Sequence, residues 1–167
     1  MVSYTKWNRG GNRLKKAGAW LLCAIWMGVI FVMSAMPGDT SSQQSGRIVQ
    51  LLMKLIALLF GEGAAQGHDM QRVSFLVRKL AHMTEYAILF ILYRRALALS
   101  GAKRPGLTAL VMSAAYACTD EIHQGFVADR MPSAVDVMID TAGACAAWGM
   151  CGALKYLFRK RKTVLRG

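Results

Sequence analysis

Residues 73–93 read VSFLVRKLAHMTEYAILFILY, an apolar run interrupted by a few charged positions. A run of about 20 apolar residues matches the roughly 30 Å hydrocarbon core of a bilayer. The charges lie in its first two thirds, at Arg78, Lys79 and Glu85. Because charge in a membrane-spanning helix is costly and usually functional, this stretch predicts both a spanning helix and a functional site within it.

Three further apolar blocks predict that this helix is the second of four. They lie at about 17–36, 107–126 and 133–158. The chain of 167 residues is 54% hydrophobic, with a mean hydropathy of +0.31, which is unusually apolar for one soluble domain. We therefore expect an all-α membrane protein with four transmembrane helices and a single integral membrane domain over 1–167.

The segment between the first and second spans has a different pattern. A polar linker is expected at 39–46, followed by a helix at 47–60 with Ile48 and Leu55 on one face and Arg47 on the other. This helix is too short to cross a bilayer. An amphipathic helix lying in the interface, or a re-entrant segment, fits better.

Basic residues set the predicted orientation. Fifteen of the 21 Lys and Arg residues lie before the first span, between the second and third, or after the fourth. The positive-inside rule makes that side cytoplasmic and places both termini there. Since these residues flank apolar blocks, the net charge of +12 does not indicate a nucleic-acid partner. The acids and histidines are expected toward the extracytoplasmic side.

Three spans carry polar residues near their outer ends. Arg78, His82 and Glu85 are spaced i, i+4, i+7, and Asp136 and Asp140 are spaced i, i+4, so each set occupies one helical face. The third span contributes a DEIHQ stretch, and the hairpin after it contributes an arginine. Because neighbouring spans are antiparallel, we expect these faces to meet at one depth and form a polar site in the outer half of the bilayer.

The residue types indicate an anionic ligand and proton transfer. Arg and Lys bind phosphate or carboxylate, and a His beside a carboxylate acts as a general acid or base. The candidate acid–base residues are His82, Glu85, Asp120, Glu121 and His123. The candidate substrate-binding residues are Arg78, Lys79, Tyr86, Gln124, Arg130, Asp136 and Asp140.

Three alternatives stay open at this point. The set is also compatible with a structural salt-bridge network that fixes helix register. His82 and His123 with Asp120 or Glu85 are possible ligands of a divalent metal, although the spacing is loose and no metal site is assigned. A serine hydrolase has the weakest support, because Ser34 and Ser133 lack a nucleophile-elbow context.

The combined motifs resemble the VanZ-like family. They are Arg78-Lys79 with His82 and Tyr86, Asp120-Glu121 with Gln124, Arg130, and Asp136 with Asp140 and Gly143; Asp140 stands where relatives often carry Asn. Ser34-x-x-Pro37 after the first span is also similar, and the resemblance covers roughly residues 20–155.

The resemblance implies a small multi-pass membrane protein of the cell envelope. The family is named for an accessory protein linked to resistance against glycopeptide antibiotics, teicoplanin in particular, and it supplies no reaction and no cofactor. The expected partners are membrane lipids, with an anionic envelope lipid or lipid-linked cell-wall precursor as the ligand. A non-catalytic binding or transport component is the main alternative, with a metal-dependent intramembrane hydrolase as a second.

Overall fold

The structure, a computed structural model, describes residues 3–60, 69–128 and 130–164. Over these residues the chain is all-helical, as the sequence predicts. The five helices are α1 (Ser3–Ser34), α2 (Gly38–Phe60), α3 (Met70–Leu99), α4 (Pro105–Gln124) and α5 (Ala134–Val164).

Two of these helices are long and apolar enough to cross a membrane. The qualifying segments among the described residues are Asn12–Ser34 in α1 and Ala134–Arg159 in α5. Polar and charged residues interrupt the apolar runs of α3 and α4, which do not meet the same criterion. Four spans and two cytoplasmic termini therefore stay predictions.

Helix boundaries differ from the expected ones in two places. The basic arm before residue 17 is helical and extends α1, and α2 begins at Gly38, so the polar stretch 39–46 is helical and not a linker. That stretch lacks apolar periodicity, but Asp, Thr and Ser are favoured at helix N-termini. The sequence also predicts a glycine-rich loop at 61–70, and most of it, residues 61–68, lies outside the described part.

α3 is the central helix and packs against α1, α2, α4 and α5, most extensively against α5. Its side chains Tyr86, Leu89 and Phe90 are fully buried in the core. Gly143 of α5 lies so close to α3 that an added Cβ would overlap the backbone carbonyl of Met83. The glycine of the Asp136, Asp140, Gly143 motif therefore permits a close helix contact, which brings the polar faces of α3 and α5 together.

Hydrogen bonds from side chains to backbone carbonyls help to attach α1 to the other helices. The Trp26 indole donates to the backbone carbonyl of Glu85 at 3.0 Å. The Tyr116 hydroxyl of α4 donates to the backbone carbonyl of Met27 at 2.7 Å. These bonds hold the end of α1 beside the polar residues of α3 and α4.

Candidate functional site

A polar cavity of about 160 Å³ lies between α3, the end of α4, the start of α5 and the loop that joins α4 to α5. Its described lining residues are Phe75, Arg78, Lys79, His82, Gln124, Arg130, Met131 and Asp136. Six of these eight are residues that the sequence predicts for the site. Phe75 and Met131 were not predicted, because isolated apolar residues next to a charged face give no sequence signal.

The α3–α5 contact joins Lys79 to Asp136. Their side chains form an ion pair, with exposed fractions of 17% for Lys79 and 30% for Asp136. This pair lies on the same face of α5 as the Gly143 contact, since Asp136, Asp140 and Gly143 follow one another at helical spacing. The positive charge of Lys79 in the cavity wall is therefore neutralised by a carboxylate of the same wall.

A second chain of polar contacts runs from α1 through α4 to the loop. Ser34 donates to Asp120 Oδ2 at 2.7 Å, and the Gln124 amide donates to the same oxygen at 3.0 Å. Arg130 Nη1 donates to Gln124 Oε1 at 2.9 Å. Ser34, Asp120 and Gln124 are buried. Gln124 thus links a buried carboxylate to an arginine at the cavity.

Ser34 is the member of this chain that the sequence did not assign to the site. The available signal was the Ser34-x-x-Pro37 motif after the first apolar block. Its position in chain order gave no indication that it would reach Asp120, which lies 86 residues later.

The Glu121 carboxylate contacts the backbone just before α5. Its carboxylate accepts a hydrogen bond from the backbone amide of Ser133 at 2.6 Å, immediately before α5 begins. A carboxylate at a helix N-terminus satisfies an amide that has no partner within the helix. This contact fixes the start of α5, and therefore the position of Asp136 relative to α3.

His82 and Glu85 lie side by side on α3. His82 Nδ1 is 3.4 Å from Glu85 Oε2, and each side chain is less than one-fifth exposed. Both atoms are buried without a hydrogen bond to another described residue. Asp140 of α5 and Arg130 are within electrostatic range of His82. His82 lines the cavity, with Glu85 beside it on the same helical face.

Tyr86 lies beneath this pair and is fully buried. Its hydroxyl is within electrostatic range of Asp120 and Asp140. The buried Asp120 Oδ1 and the Tyr86 hydroxyl lack a hydrogen-bond partner in the described part of the chain. Buried polar atoms of this kind are costly unless another group satisfies them.

Two guanidinium groups face the cavity. Burial lowers the pKa of Arg130 from its usual value, and the nearby positive charge of Arg78 lowers it further. Like charges held in a partly dry space favour an anion between them.

His123 is placed apart from the predicted cluster. Its ring packs on Phe31 of α1, with centroids 4.1 Å apart. Its Nδ1 is buried without a hydrogen-bond partner among the described residues. Among the described residues, no ion pair or hydrogen bond joins the His123 side chain to Asp120 or Glu121, the other acid–base candidates of α4.

No group of three His, Cys, Asp or Glu side chains among the described residues is arranged to hold a metal ion. The donor geometry thus gives no support to the metal alternative.

Comparison with known proteins identifies the family. The VanZ/LLP1 family model matches residues 19–158, which include all the predicted site residues. No curated protein and no solved structure matches the chain. Since the matched range covers most of its length and confirms the resemblance seen in the motifs, the chain belongs to the VanZ/LLP1 family.

Proposed function

We propose that the chain is a multi-pass protein of the cell membrane, with four spanning helices, cytoplasmic termini and a single domain. The two apolar helices and the family point to a membrane protein. α1 also exposes Leu21, Ile25 and Val32, each at least half exposed. A soluble monomer rarely displays so much contiguous apolar surface, whereas lipid chains would cover it.

We further propose that the polar cavity binds the phosphate or carboxylate head group of an envelope lipid or lipid-linked cell-wall precursor from the extracytoplasmic side. One observation carries this proposal. Arg78, Lys79 and Arg130 line one small cavity, in which Asp136 is the lining carboxylate among the described residues. Arginine pairs bind phosphate and carboxylate in a fixed geometry.

The size of the cavity favours a head group over a whole ligand. About 160 Å³ is below the usual range of roughly 300–1,000 Å³ for small-molecule pockets. A lipid needs space only for its charged group, because its chains remain in the bilayer. Phe75 on the rim, which is 54% exposed, supplies an apolar neighbour for such chains.

The link to glycopeptide resistance belongs to the same proposal. A protein that binds a lipid-linked precursor at the outer membrane surface changes how much of that precursor is accessible to a glycopeptide. Expression in a teicoplanin-sensitive host should therefore raise the inhibitory concentration of teicoplanin, and Arg130→Gln should abolish that increase.

A binding experiment tests the head-group proposal directly. The full-length protein is placed in phosphatidylcholine nanodiscs with increasing amounts of a polyprenyl phosphate. Arg130→Gln should weaken binding by about ten- to a hundredfold, because a hydrogen bond to a charged group contributes about 1.5–3 kcal/mol.

Arg72→Gln is the matched control. Like Arg130, Arg72 is an arginine. It lies at the start of α3, is exposed, and pairs with Asp69 at 3.1 Å outside the cavity. Its loss should change affinity by less than about twofold. Equal losses from Arg72→Gln and Arg130→Gln would show a general charge effect and would contradict the proposal.

His82 and Glu85 support a second candidate function, in which the bound lipid is also chemically changed. His82 reaches the cavity while Glu85 lies beside it, an arrangement suited to proton transfer. Under this candidate, His82→Gln keeps lipid binding but abolishes turnover, measured by mass spectrometry of the lipid. A wild-type protein that leaves the lipid unchanged favours the binding or transport component.

A further inference from the structure

A second and larger cavity lies at the opposite end of the bundle. Its volume is about 440 Å³, and it is formed by the last part of α3, the first turn of α4 and the second half of α5. Arg94 of α3, Arg104 just before α4, and Lys155 of α5 line it. Arg94 and Arg104, which lie on either side of the turn between α3 and α4, thus converge with Lys155 from much later in the sequence.

Among the described residues, the cavity lining contains no acid beside these cations. The sequence contains no Asp or Glu between Tyr86 and Thr119, or after Asp140. Among the described residues, Arg94, Arg104 and Lys155 form no ion pair, and Arg104 takes part in a side-chain hydrogen bond only through its backbone carbonyl, which accepts from Thr108 at 3.0 Å. The positive-inside pattern explains why basic residues lie at this end, but it does not explain their convergence on a cavity.

The remaining lining is suited to the upper part of a lipid. Trp148 and Leu107 add apolar surface, and Trp148 is 40% exposed. The Trp148 Nε1 atom lies 3.1 Å from the position of a Cβ on Gly106, so the indole packs over the first turn of α4. That turn has no side-chain cap, and uncapped amides at a helix N-terminus also favour an anion.

We propose that this cavity binds the phosphate of an anionic phospholipid in the leaflet opposite to the polar cavity. Arg94, Arg104 and Lys155 supply the positive charge, and Trp148 lies at the level where glycerol and acyl chains begin. Tryptophan is enriched at this depth because its ring is apolar and its N–H is polar. The proposal depends on the membrane placement and is independent of the ligand of the polar cavity.

The test measures phospholipid retention by native mass spectrometry of the full-length protein, with phosphatidylglycerol and phosphatidylcholine supplied at equal concentration. The double variant Arg104→Gln/Lys155→Gln should lower phosphatidylglycerol binding by about tenfold or more. The control Arg95→Gln/Lys103→Gln removes the same charge at the same end from residues outside the cavity lining, and it should change binding by less than about twofold.

Three outcomes would overturn the proposal. Equal loss in the two double variants means general attraction to a basic surface. Equal retention of phosphatidylcholine and phosphatidylglycerol means that the phosphate is not selected by charge. Competition by millimolar inorganic phosphate as strong as that by phosphatidylglycerol means that a free phosphate, not a lipid, is the ligand.

A charge-neutral variant covers the case in which the double variant does not fold. Gly106→Ala places a methyl group 3.1 Å from the indole nitrogen, so that the Trp148 ring, which lines the cavity, must move by a few tenths of an ångström. It should lower phosphatidylglycerol retention by about threefold without altering the charge, and unchanged retention would contradict the role of Trp148.

Discussion

The two ends of the helical bundle hold their cations in opposite ways. At the polar cavity, Lys79 pairs with Asp136 and Arg130 donates to Gln124. At the second cavity, the cation-only cavity, Arg104 and Lys155 have no carboxylate in the lining. Lys79 and Arg130 are therefore bound to other side chains of the fold, whereas Arg104 and Lys155 have no carboxylate partner in their cavity.

This difference separates stability from binding. A buried charge that loses its partner destabilises the protein strongly, while the loss of an exposed cation costs little. Substitutions at the polar cavity should therefore change stability and binding together. Substitutions at the cation-only cavity should change binding alone.

The close approach of α5 to α3 should be the most sensitive position. In Gly143→Ala, the new methyl group overlaps the backbone of Met83, and backbone cannot move aside as a side chain can. Overpacking costs about 1–3 kcal/mol or more, which lowers Tm by roughly 3–10 °C for a chain of this size. Thermal unfolding in detergent measures it.

Gly149→Ala is the control on the same helix. Nothing lies within 4 Å of a Cβ at Gly149, and alanine in a helix is more favourable than glycine by about 0.5–1 kcal/mol. Its Tm should therefore stay constant or rise slightly. If both variants lose the same Tm, the helix is sensitive along its length and the tight α3–α5 contact is not the cause.

The pair between Lys79 and Asp136 comes next. Asp136→Asn leaves a partly buried ammonium without its carboxylate, which costs about 1–3 kcal/mol. Affinity for a polyprenyl phosphate should rise at the same time, because the variant removes a negative charge from the cavity lining. A combined loss of Tm and affinity would contradict anion binding in this cavity.

Asp69→Asn provides the comparison for that variant. Asp69 pairs with Arg72 where both side chains are at least half exposed, and exposed pairs contribute about 0–1 kcal/mol. Asp69 also caps α3, so a small loss of Tm is expected. Lipid affinity should not change.

Much of the polar cavity was predictable, because helical periodicity assigns residues to faces. The spacing of Arg78, His82 and Glu85 placed them on one side of α3. The i, i+4 spacing of Asp136 and Asp140 did the same on α5. Because neighbouring spans are antiparallel and these residues lie at equal depth, the two faces were predicted to meet.

His123 and Ser34 are the exceptions, because helical periodicity does not show which neighbouring helix packs against a given face. A helix turns by about 100° per residue, so His123 and Gln124 lie on opposite sides of Asp120, roughly 60° and 40° away. Either side was compatible with the site. Packing of α1 against α4 decides the matter, because it places Phe31 beside His123 and Ser34 beside Asp120.

Two buried serines test the contribution of α1 to the polar end. Ser34 donates to Asp120, so Ser34→Ala removes a hydrogen bond to a buried carboxylate and should cost about 1–2 kcal/mol. Ser113 is also fully buried, but its hydroxyl has no partner among the described residues. Ser113→Ala should therefore be neutral or slightly stabilising. Equal changes of Tm in the two variants would mean that the hydrogen bond from Ser34 to Asp120 does not stabilise the polar end.

The smallest expected effect is at the cation-only end. Lys155 contacts no described acid, so Lys155→Gln should change the free energy of unfolding by less than about 0.5 kcal/mol, or roughly 1–2 °C in Tm. Thermal unfolding in a zwitterionic detergent, which supplies no anionic lipid, measures this directly. Added phosphatidylglycerol should then stabilise the wild type more than the variant, because a ligand stabilises only the state that binds it. If Lys155→Gln lowers Tm in the zwitterionic detergent as much as Asp136→Asn does, Lys155 stabilises the fold, and the contrast between the two ends is wrong.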